Sequence, residues 1–264
     1  MRFSMPTPTI AIAPFAAASP AAHARARARA CAHACVHERG AAARKARFWD
    51  RAAVKYAAAA IADSAGYEAT LRRVQGLLSA DQDVLEIGCG TGTTALRLAP
   101  FTRRLRATDV SARMIAIARE KLAAEPLPQL RFDVADADTD TDTDADIEAK
   151  PTAAGDGEYD VVLAFNLLHL VTDLHRALQL AMRALRPGGL LISKTACIAE
   201  MNPLIAYLAL PLMRAIGKAP QLLCFTADAL RSAIARQGME IVSVERHGTQ
   251  GKDIRVFIVA RKPA

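Results

Sequence analysis

The sequence has few aromatic residues, no long apolar run and an odd, scattered set of cysteines. Phe, Trp and Tyr are together 5% of the 264 residues, whereas apolar residues reach 52%. We therefore expect a core built mainly from Leu, Ile and Val, and wholesale disorder is excluded. The lack of an apolar run of about 18 residues excludes a membrane-spanning helix. Five cysteines without a common spacing are typical of free thiols in a reducing compartment, which favours a cytoplasmic protein.

The net charge of +7 belongs to the N-terminal segment alone. Residues 1–47 contain eight Lys or Arg and one Glu, so the rest of the chain is electrically neutral. A neutral domain does not attract a phosphate backbone, and we expect no nucleic-acid partner.

Two segments differ in composition from the rest of the chain. Residues 1–46 are a low-complexity arm of Pro, Ala, Ser and Arg, for which disorder is the default prediction. An extension without function, an organelle transit peptide and a secretory signal all stay open for this arm. Residues 47–264 are the expected domain, and residues 137–157 within it form an acidic insertion. We interpret this insertion as a solvated surface loop, because no Gly or Glu stands where a Ca²⁺ loop requires them.

From residue 48 onward, short apolar runs alternate with helical stretches, which predicts an α/β fold with a parallel sheet. Helices are predicted near 93–99, 111–124, 172–185 and 227–236, with two more in 48–79. Ser111 and Thr226 are the expected N-caps of two of them, and Pro187–Gly189 is the expected stop after 172–185. The predicted strands are Val84–Ile87, Leu105–Asp109, Leu130–Val134, Val161–Phe165, Leu190–Lys194, Glu240–Glu245 and Arg255–Ala260.

Three glycines follow the first predicted strand at a spacing of two: Gly88, Gly90 and Gly92. Such glycines allow a tight turn and let a ligand lie against bare backbone, and the next helix begins with free N–H groups. Glu86 is an acid in an apolar strand and needs a cationic or hydrogen-bonding partner. Asp109 ends the second strand, where a carboxylate accepts hydrogen bonds from both ribose hydroxyls of a nucleoside. These residues predict a ligand with a ribose at one end and an amino-acid-like group at the other.

With these motifs, the chain resembles the class I S-adenosylmethionine-dependent methyltransferases, and within them the ubiquinone/menaquinone-biosynthesis-like small-molecule group. Glu86–Gly92 reads ExGxGxG, like the first motif of the family, and Leu185–Ile192 resembles the turn before its fifth strand. The opening Phe48–Asp50 is similar to the lid of that group. The resemblance runs from about Phe48 to the C-terminus. It implies a Rossmann-like, seven-stranded, mostly parallel sheet with an antiparallel last strand and helices on both faces.

The resemblance implies S-adenosylmethionine as the methyl donor and assigns residues to its two halves. The glycine loop would wrap the methionine part, and Asp109 would bind the ribose. Met114 would lie near the adenine, and Asp136 with Ala137 would meet the adenine amino group. No metal is implied.

Three residues are candidates for the reacting end of the site. Tyr56, which shares a helix face with Trp49, would close over the methionine carboxylate as part of a lid, although anchoring of the helix explains the aromatics as well. Asn166, after the fourth strand, would orient cofactor or acceptor, with structural capping as the alternative. His169 is our hypothesis for a general base, since its ordinary pKa near 6.5 suits proton transfer. Packing of the loop is the alternative for His169.

Two other functions stay open. An NAD(P)-dependent oxidoreductase would use Gly90–Ala95 as G-x-G-x-x-A, but this leaves Gly88 and Glu86 without a role, and no Tyr-x-x-x-Lys pair is present. A non-catalytic S-adenosylmethionine-binding protein also fits, because methyl transfer needs no particular catalytic side chain.

Residues 196–225, between the fifth and sixth strands, are the expected cap on the acceptor side. Within this cap, the segment 201–214 is longer and more apolar than a connection between two strands requires. This favours a small lipophilic or aromatic acceptor and also allows weak contact with a membrane surface, with ordinary core packing as the alternative. Nothing in the sequence indicates an oligomeric state.

Overall fold

The computed structural model describes residues 40–138, 156–201, 204, 212–213, 220–249, 251 and 253–264. The expectations for residues 1–39, for most of the acidic insertion and for most of segment 201–214 lie outside the described residues. Within the described ranges, no helix has the length and apolar character needed to cross a membrane.

The strands are β1 (Asp83–Ile87), β2 (Arg104–Asp109), β3 (Leu130–Val134), β4 (Tyr159–Phe165), β5 (Leu185–Ala196), β6 (Glu240–Glu245) and β7 (Arg255–Arg261). In this part of the chain they form one seven-stranded sheet, in the order β3-β2-β1-β4-β5-β7-β6. Neighbours from β3 to β5 are parallel, and β7 is antiparallel to both β5 and β6. The predicted mostly parallel sheet with an antiparallel last strand is confirmed.

The helices are α1 (residues 40–58), α2 (Ser64–Gln75), α3 (Thr93–Leu98), α4 (Ala112–Ala124), α5 (Leu174–Ala184) and α6 (Ala227–Arg236). Ser111 accepts a hydrogen bond from Met114 N, and Thr226 accepts one from Ala229 N. Both predicted N-caps are therefore confirmed, because each side chain satisfies an N–H that the first helical turn leaves unpaired.

Two boundaries differ from the sequence prediction. Helix α5 ends at Ala184 and β5 begins at Leu185, so the Pro187–Gly189 turn lies inside the strand. Gly188 N donates to the Lys262 carbonyl and Lys262 N donates to the Gly189 carbonyl, which extends the pairing beyond β7. The domain was expected to start at residue 47, yet α1 already includes residues 40–46.

The core has one apolar cluster on each face of the sheet. Successive residues of β4 alternate between them, with Val162 in the cluster under α5 and α6, and Leu163 in the cluster under α2, α3 and α4. All five residues of β1 are buried, as expected for a parallel strand covered on both faces. Because the strands from β3 to β5 are parallel, their carboxyl ends share one edge, and the predicted site residues lie at this edge.

Candidate functional site

The loop after β1 is a turn of bare backbone at the carboxyl edge of the sheet. Cys89 N donates to the Thr108 carbonyl at 2.9 Å, and Gly92 N donates to the Cys89 carbonyl at 3.0 Å. A Cβ placed on Gly90 would meet only the Tyr56 ring, with Cε1 at 3.5 Å. The backbone of Gly90 is therefore open to a ligand that lies between the loop and Tyr56.

Asp109, the last residue of β2, ties this loop to the start of α4. Its Oδ2 accepts a hydrogen bond from Gly90 N at 3.0 Å, and its Oδ1 accepts one from Ser111 N at 2.9 Å. Burial raises the pKa of Asp109 above its ordinary value, although both N–H donors oppose this shift. A carboxylate has about four lone-pair sites, so roughly two are left for the hydroxyls of a ligand.

A first cavity, of about 90 Å³, lies between the glycine loop and α1. Most of the residues predicted from the sequence line it: Tyr56, Gly88, Gly90, Asp109, Met114, Asp136, Ala137 and Asn166. Glu86, Gly92 and His169 are not among its lining residues. The structure thus brings together side chains from the ends of β2, β3 and β4, which the resemblance had assigned to one ligand.

Gly92 serves packing at the start of α3. Its φ is +74°, and a Cβ there would lie 2.5 Å from Phe132 Cζ and 2.9 Å from Ala118 Cβ. A glycine is required because any side chain would collide with β3 and α4 in a backbone conformation that L-residues avoid. The structure therefore gives Gly92 a packing role, and its contact with a ligand stays a prediction.

Glu86 is a buried acid without a complete set of partners. Its exposed fraction is 2%, and among the described residues its Oε2 has no hydrogen-bond donor. Burial, with a smaller contribution from Asp109, raises the pKa of Glu86 to about 8. A cationic group beside this carboxyl would favour its ionised form.

An ion cluster that the sequence did not indicate closes the first cavity on the side of β3. Lys45 Nζ donates to Asp136 Oδ1 at 2.5 Å and to Asp138 Oδ1 at 2.6 Å. Asp138 also accepts hydrogen bonds from the backbone N–H groups of Thr172 and Asp173. Lys45 lies in the segment interpreted as a disordered arm, and Asp138 lies at the start of the acidic run, so neither composition nor spacing singled them out.

Helix α1 lies over the glycine loop. The Trp49 and Tyr56 rings meet edge to face with centroids 6.3 Å apart, so the predicted shared face is confirmed. Asp50 Oδ1 accepts hydrogen bonds from Ser111 Oγ at 2.6 Å and from Arg113 N at 3.1 Å. These bonds fix α1 to the start of α4. On the same helix, burial raises the pKa of the Tyr56 phenol.

The two residues proposed for chemistry after β4 differ in their surroundings. Asn166 has φ +51° and lines the first cavity. Its backbone N donates to the Lys194 carbonyl at 2.7 Å. His169 has a buried Nδ1 with no hydrogen-bond partner in the described part of the chain. Burial lowers the pKa of His169 to about 4, so its imidazole is neutral but a weaker base than its ordinary pKa suggested.

A second cavity, of about 540 Å³, opens on the other side of Tyr56 and Asn166. Residues of α2 and of the glycine loop line it, with Lys194 of β5 and Arg255 of β7. The acceptor side was expected in residues 196–225, and nothing in the sequence indicated this second cavity.

The residues present fit S-adenosylmethionine. The open backbone of Gly90 and the free lone pairs of Asp109 suit a nucleoside ribose. The unpartnered Oε2 of Glu86 suits the cationic amino-acid end, because a buried carboxyl needs a cation or a donor. Asp136 and Ala137 also line the first cavity, and an acidic side chain there suits the amino group of an adenine.

Comparisons with known proteins agree with this geometry. Residues 85–191 match a family model described as a methyltransferase domain. The polyketide synthase-like protein Preu9 of Preussia isomera is 34% identical over 135 residues, which are 46% of this chain and 6% of that protein. The 27-O-demethylrifamycin SV methyltransferase of Amycolatopsis mediterranei is 34% identical over 127 residues, which are 46% of this chain and 43% of that enzyme.

The fold is also shared with solved structures. The S-adenosylmethionine-dependent methyltransferase from Mesorhizobium loti superposes with a TM-score of 0.57 at 19% identity, over 75% of this chain and 98% of that chain. The glycine turn and the strand order thus define a Rossmann-like fold.

Residues 85–191 are thus similar to a methyltransferase domain, and the chain shares the fold of solved S-adenosylmethionine-dependent methyltransferases. Gly90–Ala95, which the oxidoreductase alternative required, lies inside the methyltransferase match. This chain spans less than half the length of each of the two curated relatives.

Proposed function

We propose that the chain is an enzyme that transfers a methyl group from S-adenosylmethionine to a small lipophilic or aromatic acceptor. The observation that carries the proposal is the first cavity, where the open backbone of Gly90 lies beside Asp109 and leads to Asp136. The curated relatives support a small-molecule acceptor, since one is named for a demethylrifamycin and another as polyketide synthase-like.

Each residue of the site has a physical task in this proposal. Asp109 accepts hydrogen bonds from the ribose, while Glu86, which does not line the first cavity, favours the cationic methionine end through its charge. Asp136 meets the adenine amino group once Lys45 shares or releases it, because the two donors compete for the same carboxylate. Met114, which is 2% exposed, gives the adenine an apolar surface.

When bound, S-adenosylmethionine supplies a methyl group that is already activated on a sulfonium. The chain has to hold the acceptor in line at near-attack distance and exclude water, which contributes several kcal/mol on its own. Tyr56 borders both cavities, so it lies where cofactor and acceptor would meet. Asn166, which also borders both, would orient the acceptor. A base is needed only if the acceptor must lose a proton.

The free thiols of Cys89, Cys197 and Cys224 support the expectation of a reducing compartment such as the cytoplasm.

Calorimetry on the full chain with S-adenosylmethionine and with NADH tests the class of cofactor. We expect binding of the former and none of the latter; tight NADH binding without S-adenosylmethionine binding would overturn the proposal. A screen of small-molecule extracts with a labelled methyl donor then tests turnover. Binding without transfer to any acceptor, protein and RNA included, would instead identify a non-catalytic binding protein.

A further inference from the structure

Lys194 is a buried cation at the carboxyl end of β5. Its exposed fraction is 8%, and its Nζ donates a hydrogen bond to Thr70 Oγ1 at 2.7 Å. An ammonium has three donors, so two are left, and in the described ranges no carboxylate lies within salt-bridge distance. Burial lowers the pKa of Lys194 below its ordinary value. A buried ammonium without an anionic partner is costly, and an anionic ligand would offset that cost.

The two carboxylates whose charges act on Lys194, Asp63 and Asp253, already accept hydrogen bonds from other groups. Asp63 accepts hydrogen bonds from Gly66 N and from the backbone and hydroxyl of Thr249. Asp253 accepts hydrogen bonds from Gly248 N and Arg255 N. Both carboxylates order surface loops, which leaves the remaining donors of Lys194 for a ligand.

The second cavity has the lining expected around a small aromatic acid. Tyr67, Thr91 and Thr94 are polar residues of this lining, and Leu71 and Phe165 are apolar ones. Arg255 also lines the cavity, but Asp253 holds its guanidinium. Lys194 is therefore the cation of this lining, among the described residues, that has no carboxylate partner.

Lys194 lies on the side of the site away from the nucleoside. Strand β4 separates β5 from β1, so two strand spacings of about 4.8 Å lie between Lys194 and the strand that carries Glu86. Lys194 pairs with Phe165, and its carbonyl binds Asn166 N. This places Lys194 next to Asn166, one of the residues that border both cavities, and beyond the expected methionine end.

We propose that Lys194 binds the anionic oxygen of the methyl acceptor, and that the acceptor is a small aromatic acid whose carboxylate or phenolate enters the second cavity. The inference rests on the proposed methyltransferase function and specifies its substrate class. Thr70 positions the ammonium, and the anion takes the donors that Thr70 leaves.

Titration of the full chain with benzoate, 4-nitrophenolate and neutral benzamide tests the proposal, with and without S-adenosylhomocysteine. We expect the wild type to bind at least one of the two anions about tenfold or more tighter than benzamide. Comparison of benzoate with 4-nitrophenolate shows whether the site prefers a carboxylate or a phenolate oxygen. Lys194→Met should lose this preference, Lys194→Arg should keep part of it, and affinity for S-adenosylmethionine should stay within about twofold. Lys262→Met, which removes a lysine at the opposite end of the sheet, is the matched control.

A wild-type measurement makes the test independent of variant folding. An ammonium beside the bound phenol favours the phenolate, so the absorbance titration of bound 4-nitrophenol should shift to lower pH than in solution. No shift together with equal binding of anions and benzamide would overturn the inference. A loss of S-adenosylmethionine affinity in Lys194→Met would also overturn it, by assigning the lysine to the cofactor carboxylate. Failure of the wild type to bind S-adenosylmethionine would overturn the proposed function. The titrations without S-adenosylhomocysteine test the anion site by itself, so a failure of the anion site and a failure of the proposed function give different results.

Discussion

Replacement of Asp109 by Asn should weaken S-adenosylmethionine binding more than any other change of one charge at this edge of the sheet. The carboxylate already accepts hydrogen bonds from Gly90 N and Ser111 N. An amide must turn its NH₂ group towards one of these donors, so one acceptor is lost and a donor faces a donor. A charge-assisted hydrogen bond contributes about 1.5–3 kcal/mol, which predicts a Kd roughly 10- to 100-fold higher.

Calorimetry with purified wild type and Asp109→Asn measures this effect, and Asp228→Asn on the exposed face of α6 controls for net charge. Because Asp109 also holds the glycine loop, competition with adenosine and 2′-deoxyadenosine separates ribose contact from loop order. The 2′-hydroxyl should improve wild-type affinity, and this gain should shrink in Asp109→Asn. An equal gain in both proteins would refute a ribose contact, and an unchanged Kd in a folded variant would refute the whole assignment.

Three further replacements test other parts of the site. Because the pKa of Glu86 is raised to about 8 in the folded state, its contribution to stability is complete below about pH 4.5 and is lost as pH rises towards 8. Glu86→Gln should remove this dependence in urea unfolding, and identical pH dependence in both proteins would contradict it. Gly92→Ala should lower the free energy of unfolding by roughly 2–4 kcal/mol, because backbone strain adds to a collision with Phe132. Gly238 also has a positive φ but faces open space, so Gly238→Ala should lower it by only about 1–2 kcal/mol. Equal losses of stability in the two variants would contradict a packing role for Gly92. His169→Ala should keep most of the turnover, because the His169 side chain lines neither cavity and burial lowers its pKa to about 4. A fall of about 100-fold in kcat with intact S-adenosylmethionine binding would instead support His169 as the general base.

The parts of the site that the sequence predicted are those whose residues are close along the chain. Glu86, Gly88 and Gly90 follow one another at the end of a buried strand, where local spacing alone indicates a ligand turn. Asp109 ends the next strand, and parallel strands bring their carboxyl ends to the same edge. Strand identity and the edge that carries the site could therefore be predicted without knowledge of long-range contacts.

The parts that the sequence did not predict depend on contacts between distant residues. Lys45 meets Asp136 across 91 positions, and Lys194 meets Thr70 across 124. Such pairs are set by the approach of helices to the sheet, which hydrophobic periodicity does not encode. Lys45 was further concealed by the Ala- and Arg-rich composition around it, and Lys194 by its place in an apolar strand.

The charge distribution at the carboxyl edge gives one reason for these distant contacts. Glu86, Asp109 and Asp136 lie at or next to the carboxyl ends of three neighbouring strands, and burial raises the pKa of each. Burial penalises the ionised form of all three carboxyls, and the charge of Asp109 adds to this penalty at Glu86. Lys45 relieves part of it at Asp136 and thereby ties α1 to the site. A ligand that brings a cation to Glu86 and donors to Asp109 would relieve the rest, so cofactor binding should stabilise the loop and α1 together. Amide exchange in α1 should accordingly slow on addition of S-adenosylmethionine, and slow less in Lys45→Met, where the link between helix and acids is absent.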